Sequence, residues 1–181
     1  MARLIKKSAP GVAGRRSLPP SRQNNAVSHP TADDAFVIVR VSSADVEVFE
    51  QAVRRFAGAA TGAATGAAMF AASPGTVAFV AVHDAEVQGW CWGYHLPRPD
   101  GSGMLYLHDL AVAERCRRRG IGRQLLAAFL EAGVQLGASK MFLTTGEGNT
   151  AARRLYESMG AGPAAQGPTV NYWFPLRRPG S

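Results

Sequence analysis

The chain has 181 residues, 46% of them apolar, with 20 Lys+Arg against 13 Asp+Glu and a net charge of +7. That is enough for one domain with a sizeable core, and no apolar run approaches the ~20 residues of a membrane-spanning helix. Arg3, Lys6, Lys7, Arg15, Arg16 and Arg22 all fall in the acid-free residues 1–32, so the rest carries 14 basic against 13 acidic residues, and the whole-chain basicity is no argument for nucleic acid or membrane as a partner.

Residues 1–32 are rich in Arg, Ser, Pro and Asn and read as a disordered basic leader, leaving 33–181 as a single domain. The leader lacks the ~7–15-residue apolar stretch of a secretory signal, and its Arg- and Ser-rich, acid-poor composition also suits a transit segment or a non-native extension. Phe36 to Val41 is a first strand, and Ser42 or Ser43 then caps a helix over Ala44 to Phe56, with Val46, Phe49, Val53 and Phe56 on one face. Gly58 to Ser73 is Ala/Gly-rich, with glycines at 58, 62 and 66 spaced like a compositional repeat. A short helix is expected there over Ala63 to Ala72, with Met69 and Phe70 inward. Thr76 to His83 and Val87 to Leu96 form a hairpin about Asp84-Ala85-Glu86. Trp90 and Trp92 share one face of its second strand.

After a Pro/Gly loop from Pro97 to Gly103 comes a fourth strand, Met104 to Ala113. A basic turn follows, Arg115 to Arg123, and then a helix over Gln124 to Gly137 with Leu125, Leu126, Phe129, Leu130 and Val134 toward the sheet. Lys140 to Thr145 is strand five. Asn149 or Thr150 caps a helix to Met159, with Ala151, Ala152, Leu155, Tyr156 and Met159 on one face and Gly160 closing it. Thr169 to Leu176 reads as a last strand. The order suits an α/β (α+β) domain, a mixed sheet with helices on both faces. Cys91 and Cys116 have no metal spacing and read as filler, which suits a reducing cytoplasm and predicts no metal site.

A strand, a glycine-bearing basic turn and a helix N-terminus make an anion cradle. Backbone N–H groups and the helix dipole favour negative charge there, and arginine supplies a planar fork for phosphate. No Walker A run exists in the chain, and the three spaced glycines of a dinucleotide fingerprint are missing. Arg117 to Gly122 resembles the R-x-x-G-x-G pyrophosphate loop of the GNAT superfamily of N-acetyltransferases. Asn149 to Gly160 resembles the same superfamily's N-x-x-A-x-x-L-Y-x-x-x-G segment, in the expected order. The resemblance covers Phe36 to Leu176.

It implies a mostly antiparallel sheet splayed between strands four and five, and acetyl-CoA as the acetyl-donor co-substrate. The pantetheine arm would pair with the backbone of Leu110, Ala111 and Val112. Arg117, Arg118, Arg119, Gly120, Ile121, Gly122 and Arg123 would take the pyrophosphate. Asn149 and Ala152, with Tyr156, would bind the arm. A neutral amine then attacks the thioester, which requires a base, an oxyanion donor and an acid for the sulfur. The resemblance assigns the acid to Tyr156 and the oxyanion donor to a backbone N–H near Ala111 or Val112. Asp109, a carboxylate in an apolar run just before an expected bulge, is a candidate base or amine anchor. His108 alternates with it and is the structural member of the pair unless a bulge intervenes. Glu147 is the backup carboxylate.

Tyr94-His95-Leu96-Pro97, with Leu105 to Val112 and Arg117 to Ile121, is further similar to the small aminoglycoside 3-N-acetyltransferases. The chain departs from them in having glycine at 122 and in starting its last helix at Asn149. The acceptor implied is an aminoglycoside, a polycation that wants an acidic site; Asp84, Glu86, Asp100, Asp109, Glu114 and Glu147 are available for one. A protein N-terminus, a lysine or another small amine is the alternative. A non-catalytic acyl-CoA-binding module is a second. Dimers are common in the superfamily, so a homodimer fits as well.

Overall fold

In a computed structural model, residues 35–57, 63–168 and 170–176 are described. The expectations for the leader, for Gly58 and Gly62 and for Thr169 lie outside them. Strand β1 (Val37–Arg40) leads to helices α1 (Val46–Phe56) and α2 (Ala63–Ala72). Strands β2 (Thr76–His83), β3 (Glu86–Pro97) and β4 (Gly103–Val112) follow, then α3 (Ile121–Gln135), β5 (Ala138–Leu143) and α4 (Thr150–Glu157). The sheet order is β1-β2-β3-β4-β5, antiparallel except for the parallel β4–β5 pair.

Both faces of the sheet are covered, so β2 is a nearly continuous apolar run. Its alternate residues serve different layers. Val77, Phe79 and Ala81 pack with Cys91, Leu105 and Leu107 against Ile121, Leu125 and Phe129 of α3. Ala78 and Val80 pack with Val87 and Trp90 against Phe49 and Ala52 of α1 and Ala67 of α2. The β2–β3 turn places Asp84 and Ala85 at φ 49° and 59°, the two left-handed residues of a type I′ hairpin.

Several expectations change. Neither Ser42 nor Ser43 caps α1. Asp45 precedes the helix, and its carboxylate accepts hydrogen bonds from the Ser42 N–H (3.0 Å) and hydroxyl (2.6 Å), closing a turn ahead of it. Met69 is 67% exposed, because the inward stripe of α2 runs through Ala67 and Phe70. Val134 is 74% exposed, since α3 turns Ala132 and Gly133 inward instead. Ala151 is exposed at the first turn of α4. Residues 170–176 form no strand. The segment is rich in aromatic and β-branched residues, but among the described residues it pairs with no ladder, and Pro175 has no N–H to offer one. Tyr172, Trp173, Phe174 and Leu176 are 80–90% exposed.

Pairing of β5 with β4 stops at Leu107–Leu143. Beyond that point β4 runs on to Val112 beside β3 alone, and the sheet opens.

Candidate active site

The opening coincides with a bulge. Gly93 of β3 pairs with Leu107 and Trp92 pairs with Asp109, leaving His108 as the extra residue of β4. The bulge therefore sits at His108, one residue before Asp109, where the sequence placed it after. It reverses the alternation. Tyr106 faces the α1/α2 layer opposite Tyr94, and Asp109 faces the same layer opposite Trp92. His108 and Asp109, consecutive in sequence, thus point the same way. The His108 ring lies 4.1 Å from Trp92 and 5.8 Å from Tyr106, centroid to centroid, and is exposed. The Trp90 indole N–H donates to Asp109 Oδ2 at 3.0 Å. Gly93 is obligatory: a Cβ there would sit 1.8 Å from the Tyr106 carbonyl oxygen.

A cleft of about 190 Å³ runs through the opening. His108 and Asp109 line it from the α1/α2 side, while Leu110, Asn149, Ala152 and Tyr156 line it with the β5 end, Leu143 to Thr145. Tyr156 is half-buried, and burial first, then the Asp109 carboxylate, raises its phenol above the ordinary value of 10. Cys91 is fully buried, and that burial pushes its thiol far up, so it stays a neutral filler donating weakly to the Leu125 carbonyl at 3.5 Å. Cys116 is buried too, donating to Gln88 Oε1 at 3.3 Å.

On the α3 side, Ala113 N–H bonds the Gln88 carbonyl on β3 at 2.8 Å. By antiparallel alternation the backbone polar groups of Ala111 and Asp109 also face β3, and those of Leu110 and Val112 face the opening. The Val112 carbonyl accepts from Arg117 Nε at 3.4 Å. Arg118 (φ 68°) and Gly120 (φ 82°) both turn left-handed, curling the loop's amides ahead of α3, whose N-terminus has no side-chain cap. A Cβ on Gly120 would meet only Gln124 Nε2, at 4.0 Å, so the space over the turn is open. Free amides at a 15-residue helix start, glycine-lined and ringed by arginine, are the donor set a pyrophosphate requires. Ile121 is buried and contributes only its backbone. Gly122 brings α3 against α4, its hypothetical Cβ 3.3 Å from Leu155 Cδ2. Arg123 crosses to the Ser158 hydroxyl at 2.8 Å, and the Arg119 guanidinium lies 4.7 Å over the Phe36 ring. Asn149 Oδ1 accepts the Ala152 N–H at 3.2 Å and so caps α4.

The acids do not gather. Glu147 stands exposed on its turn and does not line the cleft. Asp100 binds Ser102 and pairs with Arg98, and Glu114 pairs with Arg117. Asp84 pairs with His83 on the β2–β3 turn. Glu86 accepts from Gln88 Nε2 and Arg115, which hold its carboxyl below the usual range. Buried Gln88 is a residue the sequence did not single out: it ties Glu86, Arg55 and Cys116 together and so anchors the arginine loop to β3. A second, more open depression of about 330 Å³ lies by Gln51, Arg54, Arg55 and Glu86, and shares no residue with the cleft. Among the described residues no cluster of His, Cys, Asp or Glu could hold a metal ion, and no helix is long and apolar enough to cross a membrane.

Comparison with known proteins follows the same lines. The chain is 31% identical over 80 residues to an uncharacterized N-acetyltransferase, YycN, of Bacillus subtilis (strain 168), a match spanning 44% of this chain and 50% of that one, about half its length. An aminoglycoside acetyltransferase from an uncultured soil metagenomic sample, meta-AAC0020 in complex with sisomicin, superposes with a TM-score of 0.69 at 21% identity, covering 81% of this chain and 100% of that one. The aminoglycoside N-acetyltransferase AAC(6')-Iy in complex with CoA gives 0.66 at 18%, covering 77% and 95%. A ribosomal-protein-alanine N-acetyltransferase from Brucella melitensis biovar Abortus 2308 gives 0.61 at 20%, covering 76% and 100%. At those identities the likeness concerns the fold. Residues 46–161 match the Acetyltransferase (GNAT) family, and the chain, with its splayed sheet and its arginine–glycine loop, belongs to that family.

Proposed function

We propose that the protein is an acetyl-CoA-dependent N-acetyltransferase whose acceptor is the primary amine of an aminoglycoside. The observation that carries this is the opening beside the bulge, where a carboxylate and a phenol reach one cleft from opposite layers of the sheet. The co-substrate supplies a thioester carbonyl as acetyl donor. The α3 amides with Arg117 to Gly122 and Arg123 hold its pyrophosphate, and the Leu110 and Val112 backbone pairs with its arm as an added strand. Of the two amides considered for the oxyanion, Val112 faces the opening and Ala111 faces β3. Asp109, steadied by Trp90, anchors the ammonium of the acceptor. Tyr156, raised by burial and so kept protonated, gives a proton to the leaving sulfur. The exposed ring of Phe142, stacked on Tyr106, offers a flat face for a sugar ring. The aminoglycoside acetyltransferases among the structural neighbours support this acceptor. Two buried free thiols fit a reducing cytoplasm.

One observation favours a second acceptor. Among the described residues Asp109 is the single carboxylate lining the cleft, which suits a monoamine such as a protein N-terminus as well as a polycation. Free-thiol release from acetyl-CoA with aminoglycosides, peptides and polyamines decides between them. Turnover confined to aminoglycosides, with their KM raised in Asp109→Asn, supports the first reading. Turnover confined to peptide N-termini supports the second.

A further inference from the structure

We infer that His108 is the group that takes the proton from the acceptor amine. The inference rests on the reading that an amine is acetylated in this cleft, and it holds whichever amine that is. The sequence alternation would turn His108 and Asp109 to opposite faces. The bulge turns both to the acceptor side. Asp109 spends one oxygen on the Trp90 indole and is held in place for the ammonium to approach. His108 makes ring contacts but no hydrogen bond among the described residues, so its nitrogens stay open to the cleft. Its ring is not loose: Trp92 lies against one side and the Tyr106 ring stands edge-on to it. An exposed imidazole held by stacking, beside an anchor carboxylate, is a base in place.

The other titratable groups facing it are Asp109 and Tyr106 on β4, Tyr94 on β3 and Tyr156 on α4. Imidazole is matched to proton transfer near neutrality in a way carboxylate and phenol are not. The acceptor arrives as an ammonium, and one N–H proton passes to a ring nitrogen of His108. The freed nitrogen lone pair forms the C–N bond to the acetyl carbon while the C–S bond breaks. The sulfur receives a proton from Tyr156, and the new amide nitrogen gives up its second proton, which restores the phenol by way of the cleft. His108 returns its own proton to solvent, so each turn releases one.

The test is steady-state thiol release from pH 5.5 to 9.5 with an aminoglycoside, a peptide with a free N-terminus, a polyamine and an arylalkylamine. Wild type is compared with His108→Gln, His108→Ala and Asp109→Asn. With His108→Gln, kcat should fall about 10²-fold or more while the KM for acetyl-CoA is unchanged. The acid limb of the wild-type profile should disappear, with activity rising only as the amine deprotonates itself. Added imidazole should restore part of the His108→Ala rate. Asp109→Asn should raise the amine KM and keep the acid limb. A His108→Gln enzyme within twofold of wild-type kcat, with the same acid limb, overturns the inference and leaves the acetyltransferase reading standing. Wild type that binds acetyl-CoA, seen as a thermal shift, yet turns over none of the amines overturns the acceptor reading and this inference together.

Discussion

The Trp90 indole and the Asp109 carboxylate, 19 residues apart in sequence, meet at 3.0 Å across β3 and β4. Trp90 is 3% exposed and its ring packs on Phe56 at 5.7 Å, so the carboxylate is held from the core side of the cleft. Trp90→Phe keeps most of the apolar contact and deletes the donor. A hydrogen bond to a charged group contributes about 1.5–3 kcal/mol, and a loss of that size is expected in denaturant unfolding. Asp109→Asn in the Trp90→Phe background should cost less than in wild type, with a coupling of about 1 kcal/mol or more. Additive losses would show that the contact does not hold the carboxylate.

Gly93 and Gly122 make a contrasting pair. A Cβ on Gly93 runs into the Tyr106 carbonyl at 1.8 Å, backbone that cannot yield without undoing the bulge. Gly93→Ala should cost more than about 3 kcal/mol or fail to fold, in the upper range for single substitutions. At Gly122 the nearest atom is Leu155 Cδ2 at 3.3 Å, the end of a flexible side chain. Gly122→Ala should shift stability by less than about 1 kcal/mol. Thermal melts of the two variants side by side check this, and a severe loss at 122 would contradict the packing.

The parts of this molecule that were legible in the sequence are those set by local pattern. The arginine–glycine turn between an apolar strand and an amphipathic helix, Asn149 at a helix start and the Asp84-Ala85 hairpin all stand where residue type put them. The bulge was not legible at its true place. It is decided by which residues of β3 sit opposite, and only the pairing of Trp92 with Asp109 and Gly93 with Leu107 reveals that His108 is the extra one. The alternation rule consequently assigned His108 to the wrong face. Residues 170–176 are of strand-favouring types, but a strand exists only in a ladder, and propensity alone does not supply the partner. The acids could be counted but not located: Asp84, Glu86, Asp100 and Glu114 each answer a nearby histidine, arginine or serine, Asp109 answers the Trp90 indole, and Glu147 stands exposed.

Ala85 offers a stabilising change. At φ 59° its Cβ crowds the backbone, at a cost of about 1–2 kcal/mol for an L-residue. Glycine removes that strain and gives back about 0.5–1 kcal/mol in chain entropy. Ala85→Gly should therefore raise stability by up to about 1 kcal/mol and Tm by about 2–4 °C. The neighbouring Asp84, also left-handed at 49°, is of a type that tolerates the conformation. A lower Tm for Ala85→Gly would mean that the turn is not the type I′ form.

Tyr156 links stability and catalysis through one proton. Its phenol is raised above 10 by burial first, and then by the Asp109 carboxylate. A group whose folded value is raised contributes stability that is fully present below the unfolded value. Here that means below pH 10, and the contribution is lost as pH climbs through the folded value. Ultraviolet titration of the folded protein should show one tyrosine ionising later than the ordinary range. It should vanish in Tyr156→Phe and move down in Asp109→Asn, though not all the way, because burial remains. Stability above pH 10 should fall less steeply in Tyr156→Phe than in wild type. Over the neutral range the phenol stays protonated, so kcat should drop about 10²-fold in Tyr156→Phe with acetyl-CoA affinity nearly intact. A folded protein whose tyrosines all titrate together near 10 would remove the basis for assigning Tyr156 as the acid.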